Sequence, residues 1–380
     1  MSDESTGSEF TLDFAEGFGA VADAFRENFA EGLEIGAQFS AYRHGEPLVR
    51  LVGGSFDRKG TRALRSDDLI AVFSSGKAVA ALVVALCVER GELDYEQKVS
   101  DVWPKFGAEG KGELTLGEVM SHQAGLCGIT SEDWRPVDWL DWDKACAELA
   151  GQAPLFPPGS ASGYHPVTYG FLAGEPIRRA TGRTLGDMLR EDLCDAHGLD
   201  IFIGTPASEH ERCAQMRKPD AMADFGEVTP ETRAAFLTPW ASPGGAGVAA
   251  WREAELAGSN CHASADSLAR FMRLAVDGVL EGEEVMSSAT LAQFKRSRSY
   301  GEDRVLPFTL DYAAGVMRNA PNFNYGPNAG TVGHSGWGGS CVFADGEVGV
   351  HAAYAMTRQS NSLMGDPRSL RVIESLYDSL

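Results

Sequence analysis

Two residues in the first quarter of the chain, Ser74 and Lys77, have the types and the spacing of a nucleophile and its proton acceptor. An apolar run at residues 78–88 follows them and predicts a buried helix. A lysine three residues after a serine lies one turn away on the same helix face, and the serine N–H points out of the helix N-terminus. A hydroxyl nucleophile needs a proton acceptor and a donor for its oxyanion. The pair could supply both, although this spacing also fits a serine helix cap beside a solvated lysine.

Three further motifs follow along the chain. S-H-Q-A-G-L stands at residues 121–126, and P-G at residues 158–159 comes shortly before Tyr164. H-S-G-W-G-G stands at residues 334–339 and precedes strand-like alternation. In this order and spacing, the motifs resemble the serine β-lactamase and penicillin-binding-protein superfamily, and most closely its family VIII carboxylesterases. The resemblance covers residues 20–380, nearly the whole chain.

The resemblance implies a catalytic group of three side chains. Ser74 is the residue that is acylated, Lys77 helps to accept its proton, and Tyr164 is the third member. Tyr169, five residues on, is a rival for the tyrosine position. An ammonium beside a phenol should lower the phenol's pKa and burial should lower that of the lysine, so either group could be the resting base. The family's Asn or Ser after the tyrosine is Pro166 here, which removes a contact to a substrate amide.

The last motif implies a substrate-binding edge. His334, Ser335 and Gly336 take the place of the K-T-G that holds a substrate carboxylate in β-lactamases. A histidine is largely neutral at physiological pH, so this anion site should be weakened. Trp337 follows, and its backbone N–H should form the oxyanion hole together with that of Ser74. Its indole should also line the pocket, which favours a neutral, apolar acyl group.

Composition limits the classes of partner. With 380 residues, two lobes are expected. A net charge of −21 argues against nucleic acid and anionic membrane surfaces. The seven cysteines are scattered without a C-x-x-C pair, and the N-terminus lacks an apolar signal segment, so a cytoplasmic protein is expected. His122 is expected to be structural, and the other histidines lack metal-ligand spacing. No cofactor or metal is expected, and the oligomeric state stays open.

The pattern of elements indicates an α/β (α+β) protein with a serine β-lactamase-like fold. We expect an antiparallel sheet flanked by helices, in a domain built from residues 1–90 and 265–380, around a mostly helical domain of residues 91–264. The aromatic segment at residues 134–142 could line an acyl pocket or cap the helical lobe. The individual elements are a helix with a phenylalanine stripe at residues 14–29, a hairpin of strands at 35–42 and 48–53, strands at 312–317, 340–343 and 349–356, and helices at 171–181, 267–276, 286–294 and 367–380.

These observations predict a serine hydrolase that cleaves carboxylic esters through an acyl-Ser74 intermediate. Small-molecule esters with short acyl chains are the expected substrates, with weak side activity on β-lactams. The alternatives are a β-lactamase or D-amino-acid peptidase, an acyltransferase, or a non-catalytic binding protein. The last is disfavoured because Ser74, Lys77 and Tyr164 are all intact.

Overall fold

The strands form three sheets in the computed structural model, which describes residues 10–380. In chain order they are β1 (Phe10–Phe14), β2 (Gly36–Arg43), β3 (Glu46–Gly54), β4 (Ile70–Ala71), β5 (Ile201–Phe202), β6 (His262–Ala263), β7 (Val279–Leu280), β8 (Glu283–Glu284), β9 (Ser299–Glu302), β10 (Thr309–Tyr312), β11 (Met317–Arg318), β12 (Val332–Ser335), β13 (Cys341–Asp345) and β14 (Val350–Met356). The described residues place nine of them in one antiparallel sheet, in the order β1-β3-β2-β14-β13-β12-β11-β10-β9.

The large sheet joins the two ends of the chain. Residues 10–54 and 299–356 supply its strands, and the central pair β2 and β14 runs in register from Ala37 beside Met356 to Arg43 beside Val350. Every residue of β14 is buried. Helices cover both faces of the central strands, so these read as apolar runs rather than as alternating strands.

Thirteen α-helices are described in residues 10–380. They are α1 (Gly19–Ala30), α2 (Gly76–Glu89), α3 (Val99–Val102), α4 (Leu116–Met120), α5 (Trp142–Gly151), α6 (Tyr169–Thr181), α7 (Leu185–Met188), α8 (Pro230–Thr232), α9 (Val248–Glu253), α10 (Ala265–Phe271), α11 (Leu274–Asp277), α12 (Ser288–Lys295) and α13 (Pro367–Asp378). Helix α2 is buried from Gly76 to Cys87, as a helix that is apolar on all sides must be.

The first predicted helix begins too early. Residues 10–14 form β1, which pairs with β3, and the helix starts only at Gly19. Gly17, with φ +95°, separates the two elements. Phe14 therefore lies on an edge strand and is 44% exposed, whereas the helix buries Val21 and Phe25. The phenylalanines keep helical spacing on both sides of Gly17, so the pattern predicted one continuous helix. The positive φ at Gly17, which glycine adopts readily, ends that continuity.

Other element boundaries also differ from the predicted ones. The first hairpin turns at His44 and Gly45, both with positive φ, so its first strand is shifted by one residue and its second strand begins two residues earlier than predicted. The strand predicted at residues 312–317 is a tight turn between β10 and β11, where the Ala313 N–H bonds to Val316 O at 2.9 Å. The helix predicted at residues 267–276 is divided into α10 and α11.

Candidate active site

Ser74 lies in a short 3-10 turn, Phe73–Ser75, that runs directly into α2. The preceding residue, Phe73, has φ +48°, a left-handed conformation that is uncommon for a residue with a side chain. Its ring lies 6.1 Å from that of Trp251. Ser74 itself is half-buried, and its hydroxyl is 3.2 Å from the carbonyl oxygen of Gly258. The turn therefore presents the hydroxyl at the entrance of a buried helix.

Lys77 has a fully buried side chain whose contacts all converge on the site. Its Nζ lies 3.0 Å from the Ser74 hydroxyl, 2.7 Å from the Pro166 carbonyl oxygen and 2.8 Å from the Gly258 carbonyl oxygen. Desolvation by burial lowers the pKa of Lys77 well below its usual range. The lowered pKa and the short distance to Ser74 suit a proton acceptor for the serine hydroxyl.

Tyr164 is buried beside this pair, with Lys77 Nζ 4.8 Å from the centre of its ring. Burial raises the pKa of the Tyr164 phenol, and a hydrogen bond with the Ser74 hydroxyl opposes that rise. The sequence-based expectation of a lowered phenol pKa is therefore wrong, because loss of hydration has the largest effect on the phenol. Tyr169, the first residue of α6, is further from Nζ, at 5.6 Å, and its hydroxyl faces Gly315 in the turn between β10 and β11.

Two serine hydroxyls hold the third motif against the turn that carries Ser74. The Ser75 hydroxyl donates to the His334 carbonyl oxygen at 3.3 Å and lies 3.0 Å from the Ser340 hydroxyl. The Ser340 hydroxyl donates to the Val72 carbonyl oxygen at 2.8 Å. The residues after β12 and the residues before Ser74 are so close that a Cβ at Gly336 would collide with Val72 O. The end of β12 is thus fixed beside Ser74.

The predicted substrate-binding side chains of this motif face protein atoms. His334 is 1% exposed, and its Nδ1–H donates to the Ser335 carbonyl oxygen at 2.8 Å. Burial and the neighbouring Lys77 lower the pKa of His334 to about 3, so the imidazole is neutral as expected. The Ser335 hydroxyl lies 2.9 Å from that of Tyr325.

Trp337 remains half-buried at the surface of the site and belongs to an aromatic cluster. Its ring lies 6.1 Å from Phe225 and 5.7 Å from Phe236, which are themselves stacked 4.8 Å apart. These two phenylalanines come from a segment in which the sequence offered no motif. Together with Trp337 they form an apolar surface, at the place where the sequence predicted that the Trp337 indole lines the pocket.

The aromatic segment at residues 134–142 lies elsewhere. Trp134 and Trp139 are buried, and Trp139 stacks on Phe171 at 5.9 Å. The Trp139 indole N–H donates to the Trp240 carbonyl oxygen at 2.7 Å. Of the two open interpretations, the structure supports a cap on the helical part of the chain.

Sequence reasoning missed the main-chain oxygens that hold the lysine. A carbonyl oxygen is present in every residue, so no residue type marks Pro166 or Gly258 as a partner of Lys77. The sequence singled out Pro166 only because it replaces the family's Asn or Ser. A Cβ at Gly258 would collide with Pro166 O, so the glycine lets the two segments converge. Asp303 was also missed, and its Oδ1 accepts the Tyr164 backbone N–H at 3.1 Å.

Within residues 10–380, no group of three or more His, Cys, Asp and Glu side chains is arranged to hold a metal ion. Within the same residues, no helix is both long enough and apolar enough to cross a bilayer.

The chain belongs to the beta-lactamase family, because the Beta-lactamase family model matches residues 23–374. The Esterase/beta-lactamase LipL of Mycobacterium tuberculosis is 31% identical over 361 residues, which are 91% of this chain and 82% of LipL. A solved penicillin-binding-protein homologue from Caulobacter crescentus is 50% identical with a TM-score of 0.95, covering 98% of this chain and 100% of that one. A solved family VIII carboxylesterase is 38% identical with a TM-score of 0.91, covering 98% and 100%. The predicted family and fold are confirmed.

Proposed function

We propose that this protein is a carboxylesterase that hydrolyses small-molecule esters through an acyl group carried on the Ser74 hydroxyl oxygen. The observation that carries the proposal is the 3.0 Å contact between Ser74 and a fully buried Lys77 whose other partners are two carbonyl oxygens. The names of two relatives, the esterase/beta-lactamase LipL and the family VIII carboxylesterase, support the same reaction.

Lys77 is the base in this proposal. A neutral amine has two N–H groups and one lone pair, and the Pro166 and Gly258 carbonyls can accept both N–H groups. The lone pair is then left for the Ser74 hydroxyl proton. Tyr164 keeps its own proton, because its pKa is raised, and is suited to give it to the departing alkoxide. The proton on Lys77 then restores the phenol, and water releases the acid from Ser74.

The oxyanion of the tetrahedral intermediate is assigned to the backbone N–H groups of Ser74 and Trp337. Such donors stabilise charge that develops only during the reaction. The hydrogen bonds of the Ser75 and Ser340 hydroxyls support this assignment, because they hold the residues before Trp337 beside the turn that carries Ser74. The aromatic cluster around Trp337 supports an apolar acyl group.

The choice of esters over β-lactams rests on His334. A neutral imidazole, buried and engaged with the main chain, offers no cation for the carboxylate of a penicillin. Pro166 offers no side-chain amide contact either. Short-chain neutral esters are therefore the substrates we assign, with β-lactams as poor ones. His334, Ser335, Gly336 and Trp337 form the edge along which the substrate lies.

A cytoplasmic location and the absence of nucleic-acid partners belong to the same proposal. All seven cysteines are free and buried, which fits a reducing compartment. The net charge of −21 repels nucleic acid. Cell fractionation and gel-shift measurements test the two statements separately.

The experiment is intact-mass spectrometry together with steady-state kinetics on p-nitrophenyl esters, penicillins and a serine-directed phosphonate. We expect the phosphonate to add one label on Ser74 and the short esters to exceed penicillins in kcat/KM. Ser74→Ala should lose the label and reduce kcat by several orders of magnitude.

A matched control is Ser160→Ala, which changes an exposed serine and should keep parental rates. Ester turnover by Ser74→Ala within tenfold of the parent would refute the nucleophile. Penicillin hydrolysis equal to the best ester would favour a β-lactamase instead.

A further inference from the structure

Two buried histidines contact each other directly behind the candidate active site. The Nδ1 atoms of His122 and His165 lie 2.9 Å apart, and the backbone N–H of His165 also donates to His122 Nδ1 at 3.2 Å. On its other side, His165 Nε2 lies 3.1 Å from the Leu126 backbone N–H. Both side chains are fully buried. The proposed mechanism uses neither of them.

These contacts determine where each imidazole carries its proton. His165 Nε2 accepts the Leu126 N–H, so the single proton of a neutral His165 must be on Nδ1. That Nδ1–H donates to His122 Nδ1, which therefore acts as an acceptor for two N–H groups of His165. The proton of His122 must then be on Nε2. This arrangement of protons fits the three hydrogen bonds of the pair and leaves the His122 Nε2–H without an acceptor among residues 10–380.

The pair is held in its neutral form by its surroundings. Burial, together with the neighbouring Lys77, lowers the pKa of His165 to about 3. Burial is also the largest cause that lowers the pKa of His122, and His165, Lys77 and His334 add to it. The hydrogen bonds of the pair are thus unaffected by pH near neutrality.

His165 stands between the two residues that supply atoms to the site. The residue before it, Tyr164, carries the phenol, and the residue after it, Pro166, carries the carbonyl oxygen that accepts from Lys77 at 2.7 Å. We propose that His122 and His165 form a positioning pair that fixes the Tyr164–Pro166 segment, and through it the phenol and the Lys77 acceptor. The expected effect on kcat rests on the proposed function, whereas the hydrogen bonds of the pair do not depend on it.

The backbone at His122 provides a matched set of variants. Its φ is +65°, a region that asparagine and glycine tolerate best. His122→Asn keeps an acceptor oxygen near the position of Nδ1, while His122→Gly keeps the backbone conformation and removes the acceptor. The two variants therefore differ in the hydrogen bond rather than in main-chain strain.

We expect His122→Gly to lower kcat by about 10²-fold with KM within about threefold, because the reacting groups are displaced while the aromatic wall is unchanged. His122→Asn should recover most of that loss. A merely structural role would lower the melting temperature of both variants and leave the kcat of the folded fraction unchanged. A folded His122→Gly with parental kcat would overturn the proposal.

A second measurement does not require turnover. In ¹⁵N-histidine-labelled parent protein, long-range ¹H–¹⁵N correlation should find one ring protonated at Nδ1 and its partner at Nε2, with both signals assigned by their change in His122→Asn. Protonation of His165 at Nε2 would overturn the pair. If the parent cleaves no ester, the proposed function fails, and this spectrum still decides on the pair.

Discussion

At the scale of single residues, the important difference between Lys77 and Tyr164 is the effect of burial on each. Burial favours the neutral form of both groups, but the neutral lysine is a base and the neutral tyrosine is an acid. Two carbonyl oxygens take the N–H groups of Lys77, so its lone pair is directed to Ser74. The same desolvation therefore assigns opposite roles to two neighbouring side chains.

The pH dependence of kcat/KM distinguishes the two candidate bases. If Lys77 must be unprotonated, the rate rises with pH through the pKa of Lys77, which burial holds well below the usual range of a lysine. If the Tyr164 phenolate were the base, its raised pKa would make the rate climb above about pH 10 instead. We expect the first profile, measured on a p-nitrophenyl ester and corrected for spontaneous hydrolysis.

Tyr164→Phe is the control for this prediction. It should lower the rate and leave the acid side of the profile in place, because the titrating group is still Lys77. A profile that loses its acid side in Tyr164→Phe would contradict the assignment of Lys77.

At the scale of elements, the site depends on how closely β12 approaches the turn before α2. Gly336 allows this approach, since a Cβ there would collide with Val72 O and crowd the Ser75 hydroxyl. The turn and the strand end together carry the two N–H groups assigned to the oxyanion. Their separation is set by packing between elements that are about 260 residues apart in the chain.

Gly336→Ala should therefore separate these elements and misplace the Trp337 N–H. Loss of one oxyanion donor typically lowers kcat by about 10²–10³-fold, and we expect a fall of that order with the protein still folded. Steady-state kinetics and circular dichroism measure the two quantities. Gly346→Ala is the control, because a Cβ there meets nothing closer than 3.6 Å. Parental kcat in Gly336→Ala would contradict the close approach.

At the scale of the whole molecule, one buried arginine connects both chain ends to the third motif. Arg368, at the start of α13, contacts Glu34 at 3.0 Å and Asp366 at 2.9 Å. Its NH2 group also donates to the Gly338 carbonyl oxygen at 2.6 Å, one residue after Trp337. Arg368 thus joins the N-terminal and C-terminal parts of the chain to the loop that carries Trp337.

Arg368→Met should lower the free energy of unfolding by about 3–5 kcal/mol, because it leaves the buried Asp366 carboxylate without its partner. Urea denaturation followed by fluorescence measures this change. Arg371→Met is the matched control on the same helix, since its partner Glu31 is 44% exposed and such pairs contribute about 1 kcal/mol or less. It also removes a hydrogen bond to the buried Asn28, which adds a further loss of about 1 kcal/mol. Equal losses in the two variants would contradict the role of Arg368.

The sequence by itself determined the family, the fold class and the residues with chemical character. Ser74 and Lys77 are close in the chain, and a helix turn brings them together without help from distant segments. The motifs around Tyr164 and His334 are likewise short and continuous. The division into domains at residues 91 and 264 stays a prediction, as do the roles of the site residues.

Only the tertiary structure decided what surrounds these residues. The carbonyls of Pro166 and Gly258 reach Lys77 across 89 and 181 residues, and a carbonyl oxygen is common to every residue type. The same holds for Phe225 and Phe236, whose place beside Trp337 follows from packing. Burial, which favours the neutral amine of Lys77 and keeps Tyr164 protonated, is a property of the packed chain. Residue types can therefore be read locally, whereas their ionisation and partners arise from contacts that no local pattern encodes.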